Sequence, residues 1–214
     1  MRRIGIYGSS FDPITYSHMF TAAAVASRKR LDKVYFTPCS SMRRDKILQT
    51  EDRHRVKMLE LALGTCKNKT NRFGEPLFEI SLVEMNALPG ETYTYDTMEH
   101  FRKQFPDDEI FFIMGADLLE GLSRWGNAEK LVKNHKFIVM SREGYHMDDL
   151  IAKDPLLRNN DENFLTMSKG ISMGISSSYI RGEIRNGGDP SFLLPDLVLD
   201  YIYKNQLYTK EVGR

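Results

Sequence analysis

The 214-residue sequence has no marked excess of charge of either sign, since 30 Lys and Arg stand against 29 Asp and Glu. Proteins whose main task is nonspecific nucleic-acid binding carry a clear basic excess, so a nucleic-acid partner is not expected. No apolar run approaches the length of a membrane span, and residues 1–20 lack the apolar core and cleavage site of a signal peptide. We therefore expect a cytoplasmic protein without a membrane partner; a homo-oligomer is compatible with the composition.

Cysteine is also scarce. Cys39 and Cys66 are the only two cysteines, and they do not form a CxxC pair. This excludes a disulfide framework, and we expect both to be free thiols. The glycine-containing segment near the start of the chain matches neither GxxxxGK[ST] nor GxGxxG, so neither familiar glycine-rich phosphate motif applies.

Short apolar runs alternate with segments of helical periodicity along the chain. The predicted strands are Arg3–Tyr7, Val34–Thr37, Leu77–Leu82, Glu109–Met114, Lys136–Met140 and Phe164–Met167. Four helices are predicted over Glu51–Leu63, with Thr50 as N-cap, and over Tyr95–Gln104, Ser176–Asn186 and Asp196–Asn205. Two further helices are predicted to begin at Ser17 and near Asp117. This alternation predicts an α/β fold: a Rossmann-like, doubly wound, mostly parallel sheet flanked by helices. We expect a single domain over residues 1–214, with a C-terminal helical part from about residue 170.

The segment after the first strand is a candidate ligand loop. In open parallel sheets, ligands bind beyond the carboxyl ends of the strands. Gly8 and the two serines after it suit close approach of an anion, and the free N–H groups that open the next helix favour phosphate. His18 could add a hydrogen bond there. By itself, the segment fits an ordinary strand–helix turn with a locally packed histidine equally well.

Two distant segments together carry a resemblance. "GSSFDPITYSH" (residues 8–18) resembles the signature G-x-[ST]-F-[DN]-P-x-[HT]-x-x-H of the HxGH-type nucleotidyltransferases, and "ISSSYIR" (Ile175–Arg181) resembles the ISSTxIR motif of the same superfamily. Between them, "HRVKMLELAL", "YTYDTMEHFRKQFPD" and "FFIMGADLLEGLSRW" are similar to segments of the nicotinate/nicotinamide mononucleotide adenylyltransferases. The chain departs from the bacterial pattern at three positions: Ser9 and Ser17 replace glycines, and Thr15 replaces the first histidine.

The resemblance implies a nucleotidyltransferase-type fold and an adenylyl transfer. In that reaction the phosphate of a pyridine mononucleotide attacks the α-phosphorus of ATP, and pyrophosphate leaves. The nucleophile is already an anion near neutral pH, so alignment and charge stabilisation would supply most of the catalysis. The implied cofactor is Mg²⁺ held by the ATP phosphates, without a metal site on the protein.

The resemblance also assigns roles to residues. The implied catalytic residues are His18, Thr15 and Arg181. The implied ATP-binding residues are Gly8, Ser9, Ser10, Phe11, His18, Gly115, Asp117, Ser177, Ser178 and Arg181. The implied mononucleotide-binding residues are Ser10, Lys46, Thr94, Trp125 and Arg142.

Simpler interpretations stay open for several of these residues. Ser177 and Arg181 also fit a helix cap followed by an exposed arginine, and Asp117 fits a helix N-cap. Trp125 fits core packing, and Lys46 fits a solvated basic loop.

The resemblance leaves three functional alternatives. The first is adenylyl transfer to a pyridine mononucleotide, with the acid slightly preferred over the amide. The second is another reaction of the superfamily, such as that of a phosphopantetheine adenylyltransferase or a cytidylyltransferase. The third is a non-catalytic nucleotide-binding module.

Overall fold

The computed structural model describes residues 1–42, 48–86, 88, 92–168 and 174–209. Within them, six strands form one sheet: β1 (Arg3–Ser9), β2 (Lys33–Pro38), β3 (Phe78–Ile80), β4 (Glu109–Gly115), β5 (Lys136–Met140) and β6 (Phe164–Met167). Every pairing between them is parallel, in the order β3-β2-β1-β4-β5-β6. The chain runs outward from β1 in one direction and returns to start again at β4, which is the doubly wound arrangement. The predicted fold class is confirmed.

Helices cover both faces of the sheet. They are α1 (Tyr16–Arg28), α2 (Asp52–Gly64), α3 (Val83–Asn86), α4 (Thr94–Gln104), α5 (Leu119–Leu122), α6 (Ala128–Asn134), α7 (Met147–Lys153), α8 (Pro155–Arg158), α9 (Ser177–Arg185) and α10 (Asp196–Lys204). Ile4 and Ile6 of β1 pack into one buried apolar cluster, and Tyr7 packs into the other. This follows from the alternation of side chains along a strand whose two faces are both covered.

Helices α9 and α10 share a core with the first half of the chain. Ile180 and Val198 belong to the same buried cluster as Val25 and Met58. The single-domain organisation stays a prediction, and this shared core supports it. Among the described residues, no helix combines the length and the apolar character that crossing a membrane requires.

Several local predictions need correction. The predicted strand at Leu77–Leu82 is shorter, and the helices α3, α6, α7 and α8 were not predicted. Thr50 is not the N-cap of α2; that position is Glu51. The Thr50 hydroxyl instead donates to Asp12 Oδ1 at 2.8 Å. The Thr50 side chain, which capping preference predicts to bind the start of α2, therefore makes a tertiary hydrogen bond instead.

Candidate active site

The carboxyl ends of β1 and β4 border a cavity of about 380 Å³. The strand order reverses at this place, where open parallel sheets bind their ligands. Nine residues predicted for the site line it: Gly8, Ser9, Ser10, His18, Thr94, Gly115, Asp117, Trp125 and Arg142. A larger, more apolar groove of about 620 Å³ beside α1 contains none of the described residues that were predicted for the site. The smaller cavity is therefore the candidate active site.

His18 is held in place by the residue that caps its helix. Thr15 Oγ1 accepts a hydrogen bond from the His18 N–H at 3.3 Å, and the Thr15 N–H donates to His18 Nδ1 at 3.1 Å. The Thr15 hydroxyl also lies 2.8 Å from Nδ1. This reciprocal capping box satisfies groups that a helix N-terminus leaves open. Because Nδ1 accepts, the proton of the neutral ring lies on Nε2, which makes Nε2 the hydrogen-bond donor.

Two aromatic rings pack beside His18. The ring centroids of Phe11 and Tyr7 lie 5.1 Å and 6.2 Å from that of the imidazole. Phe11 is fully buried and has a φ of 46°, in the left-handed region that bulky residues rarely adopt. Burial raises the pKa of Tyr7 to about 12, so its phenol is neutral at physiological pH. Close packing on these sides fixes the position of the imidazole.

The segment "ISSSYIR" docks on the loop of residues 10–15 that joins β1 to α1. Ser177 Oγ donates to the carbonyl oxygen of Pro13 at 2.8 Å. Arg181 Nη1 donates to the carbonyl oxygen of Asp12 at 2.7 Å, and Nη2 donates to Ser178 Oγ at 3.0 Å. Ser176 caps α9 by accepting from Tyr179 N–H. The two motifs, more than 160 residues apart in sequence, therefore meet through direct hydrogen bonds.

Arg55 ties together the loops that follow β1 and β2. Its side chain is fully buried, and its guanidinium donates to the carbonyl oxygens of Ser10 at 2.7 Å and Cys39 at 2.5 Å. It also pairs with Asp52 Oδ1 at 2.6 Å. Both Ser10 and Cys39 line the cavity. The planar guanidinium, with several fixed donors, can hold two carbonyls and a carboxylate at once.

The opposite wall of the cavity carries a pair of opposite charges. Asp117 Oδ1 lies 3.6 Å from Arg142 Nε, and both side chains are roughly half exposed. Gly115 lies two residues before Asp117, and a Cβ at this position would collide with the Asp117 carboxylate. The cap of the short 3₁₀ turn at Ala116–Leu118 is Gly115, so Asp117 is not an N-cap. Its carboxylate lines the cavity, and carboxylate oxygens accept hydrogen bonds from hydroxyl groups.

Thr94, the first residue of α4, and Trp125, in the segment after α5, both line the cavity. Trp125 packs edge-on against Phe112 with 6.2 Å between ring centroids, and it remains partly exposed toward the cavity. Core packing and a role in the site are thus both compatible with its position. Aromatic faces of this kind stack on planar ligand rings.

Comparison with known proteins identifies the family. The cytidylyltransferase-like family model matches residues 6–183. The chain belongs to the cytidylyltransferase-like family. The predicted membership of the nucleotidyltransferase superfamily is confirmed.

Curated relatives within this family match nearly the whole chain. A probable nicotinate-nucleotide adenylyltransferase of Thermoanaerobacter sp. (strain X514) is 36% identical, over 98% of this chain and 95% of that protein. The nicotinate-nucleotide adenylyltransferase of Bacillus subtilis (strain 168) is 32% identical, over 97% of this chain and 99% of that protein. The narrower resemblance to the mononucleotide adenylyltransferases is therefore confirmed as well.

A solved structure gives the same result for the fold. The nicotinic acid mononucleotide adenylyltransferase of Plasmodium falciparum, complexed with NaAD, superposes with a TM-score of 0.78 at 26% identity. The match covers 100% of both chains. The whole architecture of this cytidylyltransferase-like protein is thus shared with that enzyme.

The remaining predicted residues of this family member lie behind or beside the cavity. Thr15 and Phe11 are fully buried and support His18 from behind. Ser177 and Arg181 stand against residues 12–13 rather than in the cavity wall, and the exposed Ser178 accepts from Arg181. Lys46 lies outside the described residues.

The two serines that replace family glycines occupy different environments. Ser9 ends β1 and lines the cavity, while its carbonyl oxygen accepts from the Cys39 N–H at 3.0 Å. Ser17 is buried in the first turn of α1. A serine is therefore accommodated at both positions, and of the two only Ser9 lines the cavity.

Sequence reasoning missed Arg55 and Glu84. Glu84 is buried, lines the cavity and accepts from Thr97 Oγ1 at 2.8 Å. A charged residue within a helical stripe is normally taken as solvent-exposed, since Arg and Glu are seldom fully buried. The one sequence signal for Arg55 was its place in "HRVKMLELAL", a segment that carried the resemblance.

Proposed function

We propose that this chain transfers the adenylyl group of ATP to nicotinate mononucleotide, forming the dinucleotide of NAD biosynthesis and pyrophosphate. The observation that carries this proposal is the direct contact between the two motifs at the carboxyl end of β1, beside the cavity that His18 lines. The curated relatives named above as nicotinate-nucleotide adenylyltransferases support the substrate, and so does the solved structure with NaAD.

The triphosphate of ATP would lie across the start of α1 and α9. His18 Nε2 would donate to an oxygen of the α-phosphate, where negative charge builds up in the transition state. Thr15 would act through His18, because it holds Nδ1 and is itself buried. Arg181, Ser177 and Ser178 would stabilise the leaving pyrophosphate from the N-terminal half of α9, which favours anions.

The remaining contacts to ATP would come from the end of β4 and from the backbone of the loop after β1. Gly115 would allow the adenosine to approach the end of β4, and Asp117 would accept from its ribose hydroxyls. Gly8, Ser9, Ser10 and Phe11 would present backbone groups of the loop. These contacts position ATP; they do not take part in bond making.

The mononucleotide would occupy the other end of the cavity. Trp125 would stack on the pyridine ring, and Thr94 would contact its carboxylate near the N-terminus of α4. Arg142 and Ser10 would bind the mononucleotide phosphate, and Lys46 is proposed for the same group. The phosphate then attacks in line with the bond to pyrophosphate, so alignment supplies most of the rate acceleration.

The divalent metal would be Mg²⁺ that enters with ATP. Among the described residues there is no cluster of three or more His, Cys, Asp or Glu. Phosphate oxygens and water supply the oxygen ligands that Mg²⁺ prefers, which fits a site where the protein contributes hydroxyls and backbone groups. When bound, the ion shares the charge of the triphosphate with His18 and Arg181.

A single assay tests the proposed function. The purified protein is incubated with ATP and Mg²⁺ plus nicotinate mononucleotide, nicotinamide mononucleotide or phosphopantetheine, and pyrophosphate release is followed. A parallel set replaces ATP by CTP. We expect release with ATP and nicotinate mononucleotide. Release only with phosphopantetheine or only with CTP would assign another reaction of the superfamily, and no release in any arm would support a non-catalytic module.

A further inference from the structure

Asp12 connects the loop of residues 10–15 to two remote parts of the chain. Its carboxylate is almost fully buried, with 2% of the residue exposed. Oδ2 accepts from the Gln49 N–H at 2.7 Å, and Oδ1 accepts from Thr50 Oγ1 at 2.8 Å and from the Tyr208 hydroxyl at 2.6 Å. A buried carboxylate is tolerated only when such donors satisfy it.

The backbone of Asp12 contacts the second motif. Its carbonyl oxygen accepts from Arg181, the arginine of "ISSSYIR". The same short loop ends at Thr15, which holds His18. The carboxylate of Asp12 therefore anchors the piece of backbone from which Arg181 and His18 take their positions.

Tyr208 reaches Asp12 from a turn beyond the end of α10. Its side chain is buried, and its φ of 64° lies in the left-handed region. Such a conformation is costly for a residue with a large side chain and persists only where surrounding contacts determine it. The Leu207 N–H donates to the carbonyl oxygen of Ile202 at 3.0 Å, which folds the chain back toward the loop. Burial and the negative charge of Asp12 raise the pKa of Tyr208, so its hydroxyl remains a donor.

We propose that Tyr208 is a positioning residue for the transfer reaction, which acts through Asp12 to align Arg181 and His18. The proposal rests on the proposed function. Tyr208 does not line the cavity and touches neither substrate in this scheme. Because small displacements of catalytic groups have large effects on rate, the loss of one anchoring hydrogen bond would lower turnover and leave substrate binding intact.

A purely structural role for Tyr208 makes a different prediction, and the chain offers a matched control. Tyr201, on α10, also makes a hydroxyl hydrogen bond, to His54 Nδ1 at 2.8 Å. Tyr201→Phe and Tyr208→Phe are the same chemical change in the same part of the molecule. Of the two hydroxyl hydrogen bonds, only that of Tyr208 reaches the loop of residues 10–15. An effect on kcat that follows from losing any tyrosine hydrogen bond in this part of the chain would therefore appear in both variants.

The test measures kcat and both KM values for the wild type and the two variants, at a temperature well below each Tm. We expect Tyr208→Phe to lower kcat about tenfold, with KM for ATP and for the mononucleotide within about twofold of wild type. Tyr201→Phe should keep kcat within about twofold. A Tyr208→Phe kcat within twofold of wild type would overturn the proposal, and so would an equal loss in both variants.

Amide hydrogen exchange keeps this test separate from that of the proposed function. Exchange is measured for the peptide that spans residues 10–18 in the same three proteins without substrate. We expect faster exchange in Tyr208→Phe than in wild type or Tyr201→Phe, since this loop loses an anchor. Unchanged exchange would overturn the proposal even if the wild type shows no adenylyltransferase activity. If the wild type is active and Tyr208→Phe has the same turnover and the same exchange as the wild type, only this inference is overturned and the proposed function stands.

Discussion

The two edges of the parallel sheet use charged side chains in different ways. At the amino edge, where the strands begin, charged residues pair with one another: Arg3 with Glu109 at 3.0 Å, and Lys136 with Glu109 at 2.6 Å. At the carboxyl edge, Arg55 and Arg181 donate to backbone carbonyls of the loops that follow the strands.

The two edges also differ in how deeply their charged side chains are buried. Arg2 and Glu75 of the amino edge keep 40% and 39% of their side chains exposed, whereas Arg55 is fully buried. Exposed ion pairs are screened by water and contribute about 0–1 kcal/mol each. Removing a buried donor leaves carbonyl groups without a partner and costs more. The exposed Arg2–Glu75 pair of the amino edge therefore tolerates change, while Arg55 at the carboxyl edge fixes the shape of two loops.

The strongest test at the carboxyl edge is His18→Ala. Loss of a donor that stabilises transition-state charge should lower kcat at least 100-fold, with a small change in Tm because Thr15 still caps α1. Steady-state kinetics and thermal unfolding measure the two effects. His146→Ala, a change at an exposed histidine outside the cavity lining, is the control and should be near wild type. Near-normal turnover in His18→Ala would remove His18 from the proposed site.

Arg181→Lys tests whether geometry or charge matters at the same edge. Lysine keeps the charge but cannot span the Asp12 carbonyl and Ser178 Oγ as the forked guanidinium does. We expect kcat to fall by about 10- to 100-fold. Arg185→Lys, in the exposed last turn of the same helix, should have no effect. Full activity of Arg181→Lys would mean that a point charge suffices.

Trp125→Ala tests the far end of the cavity. Loss of a stacking face should raise the KM for the mononucleotide about tenfold and leave the KM for ATP within about twofold. Initial rates with each substrate varied in turn separate these two constants. A larger rise for ATP would contradict the proposed placement of the pyridine ring.

Arg2→Gln should have the smallest effect, since it breaks a half-exposed pair at the amino edge. The guanidinium lies 2.9 Å from Glu75, while the Arg2 N–H, which donates to Asp108, is unaffected by the change. We expect the free energy of unfolding to fall by less than about 1 kcal/mol and kcat to stay unchanged. Urea unfolding gives the first quantity. A loss of several kcal/mol would contradict the view that the exposed ion pairs of the amino edge contribute little to stability.

The sequence predicted the fold class because the alternation of strands and helices depends on local patterns, whereas the location of the site stays a prediction. Strand runs such as Lys136–Met140 were placed correctly, since fully buried parallel strands are short and apolar. Helices α6 and α7 were missed, because seven-residue helices carry too few turns to show a period. Thr50 was misassigned as a cap because its partner, Asp12, is distant in sequence.

Sequence alone determined the alternation of strands and helices, the His18 motif after β1 and the family to which two separated motifs point. Each strand, helix and motif is encoded by residues close together in the chain, where turn chemistry, capping and periodicity act. Only the tertiary structure decided that Arg181 bonds Asp12, that Arg55 is buried between two loops and that Tyr208 reaches the start of the chain. Such contacts join residues that approach each other only when the core is formed. Their free energy depends on burial, which local sequence patterns do not show.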